Sequence, residues 1–151
     1  MPSTTYAGST LAIALALPAT HEAAGFAALG AAFLEGECAL HDTPPLMRNS
    51  TAVPEPLVCR KTNVDKKGSF KWDPVPFKLS GIVGDAAQAA YEALEADLNG
   101  IGSFRLMLDG ADTHYFTAQV QKFAKVDGGS QDTIHTRSGI LLIQSADIVT
   151  V

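Results

Sequence analysis

The stretch Ser103–Lys125, SFRLMLDGADTHYFTAQVQKFAK, decides how this chain is read. Phe104, Leu106 and Leu108 alternate with Ser103, Arg105 and Met107. A period of two fits a strand that buries one face. Asp109-Gly110 follows as a hairpin signal, because these residues accept the positive φ angles of tight turns. From Thr113 to Lys125 the alternation resumes, with Phe116, Ala118 and Val120 set against Thr117, Gln119 and Gln121. Two amphipathic strands around an Asp-Gly turn predict an antiparallel pairing. Asp127-Gly128-Gly129 turns the chain again, and Gln131–Ser145 reads as the last long strand, with a break near Ser138-Gly139. Asp147–Val151 ends extended.

The clearest helix precedes this region, over Ala86–Leu98. Asp85 stands at its N-cap with Gln88 three residues on, a capping-box pair. Ala87, Tyr91, Leu94 and Leu98 recur on one face at helical spacing, and Asn99-Gly100 supplies the stop. Glu92, Glu95 and Asp97 form a solvated outer face. Nearer the N-terminus, Thr10–Leu17 alternates Leu11, Ile13, Leu15 and Leu17 against smaller residues and predicts a strand. Pro18–Gly25 reads as a turn from which Phe26 packs back on the body. Leu29–Leu40 reads as extended, since Gly30 and Gly36 weaken a helix there. Residues 42–56 carry Pro44, Pro45, Pro54 and Pro56, which disfavour a central strand. A hairpin is expected after them, with Leu57–Thr62 and Ser69–Trp72 as its arms and Asn63–Gly68 as its turn. Phe77–Ser80 resumes a strand. The sum is one domain over residues 1–151, mainly β (α+β). The expected architecture is an antiparallel β-sandwich or partial barrel flanked by one helix at about 85–98, with a long protruding loop or hairpin at about 42–76.

Charge divides this chain. Residues 43–80 hold seven basic residues against three acidic ones, a net +4, while the whole chain is −5. The rest of the molecule is therefore −9. A basic arm on an acidic body lets like subunits attract head to tail. The arm's candidate contact residues are Arg60, Lys61, Lys66, Lys67, Lys71 and Trp72, the one tryptophan of the chain. Phe70-Lys71-Trp72 and Phe77-Lys78 interleave aromatic and basic residues, a pattern that also suits stacking on single-stranded nucleic acid. Pro74 and Pro76 interrupt a flat stacking surface.

Catalytic and metal signals are weak, and the reading names no catalytic residue, cofactor or metal. His21, His41, His114 and His135 are dispersed. Cys38 lies three residues before His41, but a structural zinc site needs four ligands. Gly81-Ile82-Val83-Gly84 sits where a phosphate loop would, without the lysine and hydroxyl residue such a loop requires. Glu35 and Glu37 share a face if their segment is extended, as two exposed acids. The two cysteines do not make a disulfide framework, and no apolar run is long enough to span a bilayer.

The residues Ser9-Thr10-Leu11-Ala12-Ile13, Leu17-Pro18-Ala19-Thr20 and Ala23-Ala24-Gly25-Phe26-Ala27-Ala28-Leu29 form a recognisable opening. With Tyr115-Phe116-Thr117-Ala118, Lys122-Phe123 and the closing Asp147-Ile148-Val149-Thr150-Val151, the chain resembles the major tail tube proteins of long, flexible-tailed bacteriophages. The likeness is strong at both ends and weakest from His41 to Trp72. It implies a structural virion protein whose partners are its own copies, in stacked homo-hexameric rings, and the tape-measure, tail-terminator and baseplate-side proteins. It also implies a bore through which double-stranded DNA passes without specific binding. The implied location is the virion tail, assembled in the host cytoplasm, with no membrane. Under this likeness residues 43–80 dock on the next ring, and the polar row Thr117, Gln119 and Gln121 lines the bore. Contractile tails and secretion tubes use related subunits and remain open as alternatives, as does a small nucleic-acid-binding protein.

Overall fold

The computed structural model describes residues 6–35, 40–59, 61–109 and 112–151. Its main sheet contains β1 (Thr10–Ala14), β4 (Val75–Ser80), β5 (Gly102–Met107), β6 (Thr113–Phe123), β7 (Thr136–Ile143) and β8 (Val149–Thr150). The strand order is β1-β5-β6-β7-β4, with β8 beside the start of β6, and every pairing is antiparallel. A separate ribbon pairs β2 (Arg48–Glu55) with β3 (Val64–Trp72). The fold is β-rich and antiparallel with one long helix, as the alternation predicts, and its sheet is not closed into a barrel.

Helix α2 (Ala86–Ala96) covers one face of the sheet. Its Tyr91 ring stacks on Phe77 at 5.0 Å and Phe123 at 5.3 Å, while Phe104 stacks on Phe116 at 5.6 Å. Such aromatic pairs add to area burial, and they join three strands to the helix. Asp85 caps α2 by accepting from the Ala87 amide at 3.3 Å. Gln88 does not close the expected capping box. It is buried, donates to the Ser80 carbonyl at 2.6 Å and accepts from the Ile82 amide at 3.3 Å, so it staples the turn before the helix. Leu98 is exposed rather than packed, because the helix stops at Ala96.

The other face carries a smaller cluster. Ala12 and Ala14 lie against Phe26 and Phe33, so β1 is buried on both sides. Phe26 packs back on the body as expected, stacked on Tyr115 at 5.2 Å. It does so from a short helix, α1 (Ala23–Ala27), where the sequence reads as a turn. Five residues give too little repeat for a helical period to show. The strand predicted to Leu17 ends at Ala14.

The region Leu29–Leu40 is not a strand where it is described. Gly30–Ala32 forms a 3₁₀ turn, Leu34 bridges Ile13 on the edge of β1, and Leu40 bridges Leu79 on the edge of β4. These bridges partly close the two sheet edges, which would otherwise present unpaired backbone. The anticipated break at Ser138-Gly139 is also absent, since both residues lie inside β7. A Cβ on Gly139 would sit 2.7 Å from the Phe77 ring and 2.6 Å from the Lys122 carbonyl. The glycine makes room for a ring rather than for a turn. Residues 131–135 precede the strand as loop.

Candidate assembly surfaces

Chain order makes β2–β3 an arm. It leaves the body after Met47 and returns at Asp73, directly before edge strand β4. Its root is tied by three bonds. The Asp73 amide donates to the Met47 carbonyl at 2.9 Å, the Asn49 amide group donates to Asp73 Oδ1 at 3.1 Å, and the Trp72 indole donates to the Ala146 carbonyl at 3.2 Å. The sequence reading locates the hairpin but misassigns its strands. Leu57–Asn63 is the connection rather than a strand, apart from Arg60, which lies outside the described residues. Pro54 sits within β2, paired with Asp65. Proline forbids central strands, but a two-stranded ribbon has only edges, where proline is tolerated.

Register sets which residues share a face of the arm. Ser50 pairs with Phe70 and Ala52 with Lys67, so β3 has one more residue than β2 across this step. This bulge turns Lys67 onto the face of Arg48, Phe70 and Trp72. Lys66 and Lys71 occupy the opposite face with Val53. A Cβ on Gly68 would meet Val53 Cγ2 at 2.9 Å and the Thr51 carbonyl at 3.0 Å, so this crossing requires glycine. The Arg48 guanidinium lies 4.4 Å from the Phe70 ring centre and 5.5 Å from that of Trp72. This cation–π stack holds the root and occupies one side of each ring.

Lys61, Lys66, Lys67 and Lys71 are exposed, and Trp72 is half-buried. Lys66 pairs with Glu55 at 2.7 Å, an exposed contact that contributes little. Among the described residues the other three lysines make no ion pair. Val53, Val64 and Phe70 also face solvent, and Val58 does so at the tip. A lone two-stranded ribbon is marginal in water. This one is basic, apolar in patches, and open on both faces.

The polar row of β6 is not continuous. Thr117 and Gln119 lie half-buried on the sheet face away from α2, and the Thr117 carbonyl accepts from the Gln144 amide at 2.8 Å. Val120 pairs with Leu141 but Lys122 with Ile140, so Gln121 is the extra residue of a bulge and is exposed.

The sequence reading missed a cleft of about 470 Å³ at the end of β1. It is lined by Leu15, Leu17, Leu94, Asp97 and Ile101 among others. Leu15 is 54% exposed and Leu17 52%, and Leu98 beside the rim is 92% exposed. Pro18 was the available signal that the strand stops before these leucines reach the core.

The groups considered for chemistry are dispersed or engaged. His21 donates to the Asp147 carbonyl at 2.9 Å, His41 bonds Ser80 at 2.7 Å, and His114 bonds Thr150 at 3.0 Å. Glu35 pairs with Arg105 at 2.5 Å. Glu37 and Cys38 lie outside the described residues, and Cys59 is exposed near the arm tip. Gly81–Gly84 is a strand-to-helix turn with Gly84 at φ 77°. Among the described residues, no three His, Cys, Asp or Glu side chains are grouped to hold a metal ion. A larger cleft of about 610 Å³ runs beside Pro76, Lys78, Lys122 and Asp127. Burial raises the Asp127 carboxyl, but hydrogen bonds from Ser138 and Thr136 and the charge of Lys78 outweigh it and hold it below its ordinary value. Asp127 thereby fastens the loop after β6 to β7.

No protein-family model matches this chain, and no curated protein matches it in sequence. Among solved structures it is similar to a chain of the anti-feeding prophage baseplate, determined by cryo-EM and 6-fold symmetrised. The TM-score is 0.63 at 9% identity, over 100% of this chain and 96% of that one. At this identity the likeness is one of fold.

Proposed function

We propose that this chain is a structural subunit of a phage-type tail, one that closes into hexameric rings and stacks them as the tube through which double-stranded DNA is delivered. The observation that carries the reading is the β2–β3 arm: a basic, partly apolar ribbon with both faces exposed. Such a ribbon gains stability by docking on another surface, and the acidic remainder of an identical subunit is complementary to it. The fold shared with a baseplate chain of a 6-fold symmetrised particle supports the same reading. The tape-measure, tail-terminator and baseplate-side proteins are the partners it implies, and the virion tail, assembled in the host cytoplasm, is the location. Residues 43–80 then make the contact between rings. Thr117 and Gln119 are bore-lining candidates, and Gln121, displaced by its bulge, is a weaker one.

A second reading keeps the fold and changes the machine, making the chain a subunit of a contractile tail or secretion tube, or of a baseplate. The likeness to a baseplate chain favours it. Nucleic-acid binding through the arm has less support, because Arg48 and the Ala146 carbonyl already engage Trp72.

Negative-stain microscopy of the purified protein at high concentration and low salt tests the proposal. Stacked rings or hollow tubes are expected. A chain that stays monomeric there, and binds duplex DNA with a steep salt dependence, replaces the tube reading with the DNA-binding one.

A further inference from the structure

The geometry points to the leucine cleft after β1 as the acceptor for the arm of a second copy of this chain. The inference rests on the self-assembly reading above and adds the receiving surface to it. In the sheet order β1-β5-β6-β7-β4, the arm runs directly into β4 at one edge. The cleft follows directly from β1 at the other edge. Donor and acceptor are separate patches on different edge strands. A contact between them joins unlike surfaces, the kind that can close a ring or propagate along an axis.

The surfaces are complementary in kind. The cleft exposes Leu15 and Leu17, with Leu98 at its rim and Asp97 as the charged residue among those lining it. The last turn of α2 carries no basic residue. One face of the arm exposes Val53 and Val64 beside Lys66 and Lys71, with Val58 and Lys61 toward the tip. Leucines left in water beside the Asp97 carboxylate are poorly placed in a lone subunit, since exposed apolar patches with polar rims mark contact sites. The C-terminal end of α2 adds negative potential, which favours incoming lysines. Pairing the two surfaces covers the leucines with valines and brings a lysine to Asp97.

The test uses two full-length variants. Leu15→Lys with Leu17→Lys removes the acceptor and keeps the arm. Lys66→Glu, Lys67→Glu and Lys71→Glu together remove the donor and keep the cleft. All the substituted side chains are exposed, so both variants are expected to keep the wild-type circular dichroism and melting temperature. Each alone is expected to run on size-exclusion chromatography at low salt as a single chain. Their mixture has one intact donor and one intact acceptor, so its apparent mass is expected to double and go no further.

A leucine variant that assembles like the wild type overturns the inference. So does a mixture that stays monomeric while the wild type forms tubes, and that result leaves the tube reading intact. Conversely, a mixture that pairs while the wild type forms no tubes upholds the acceptor and removes the tube reading. Should the leucine pair fail to fold, Leu98→Lys, at a side chain 92% exposed, takes its place with the same expected outcomes.

Discussion

Tyr91 shows how much one side chain in this core depends on its ring alone. The ring stacks on Phe77 and Phe123, but among the described residues the buried hydroxyl has no hydrogen-bond partner. A buried unsatisfied hydroxyl costs about 1–3 kcal/mol. Tyr91→Phe is therefore expected to stabilise the subunit by about 1 kcal/mol, or roughly 2–4 °C in melting temperature at this size. A loss of stability would show that the hydroxyl makes a bond. Burial, and then the nearby Asp85 carboxylate, push the Tyr91 phenol above its ordinary value. The native state thus holds it neutral, while the unfolded chain ionises it near pH 10. Its contribution is fully present below that pH and is lost as pH rises above it toward the folded value. The Phe variant is expected to lose less stability in alkaline melts than the wild type.

Whether an element could be read from the sequence depended on whether it had one buried face or two. β6 shows clean alternation because α2 covers one side and polar residues occupy the other. β1 is buried on both sides, so its alternation of large and small residues ran on into Leu15 and Leu17, which the fold leaves outside. Helix α1 was hidden by its five residues, and the strands of the arm by a proline rule that applies to sheet interiors. The position and charge of the arm were legible; its register was not, because no buried face constrains it. This lack of burial has a dynamic consequence. In hydrogen exchange on the free subunit, β2 and β3 amides are expected to exchange well before those of β5, β6 and β7, and to slow on assembly. Equal protection in the free subunit would contradict an arm that needs a partner.

The whole molecule is polarised, with net +4 between residues 43 and 80 and net −9 elsewhere. Attraction between exposed charges is screened as the Debye length falls from about 10 Å at 0.1 M salt to about 3 Å at 1 M. In the proposed assembly, growth followed by light scattering is expected to slow steeply over that range. Salt-insensitive growth would assign the contact to apolar burial alone. The triple lysine-to-glutamate variant is expected to stay folded and to form no stacks at any salt, and normal growth by it would remove the arm from the contact.

Trp72 gives the molecule an optical property. It is the one tryptophan in the chain, and it sits at the root of the arm with its indole bonded to Ala146 and a guanidinium over its ring. Emission excited selectively from tryptophan, past the three tyrosines, therefore comes from a single known position and needs no label. Its wavelength reads the polarity around the root and its anisotropy reads the root's mobility. In the proposed assembly, the order in which the arm stiffens and particles grow can be timed from the light of the unmodified protein.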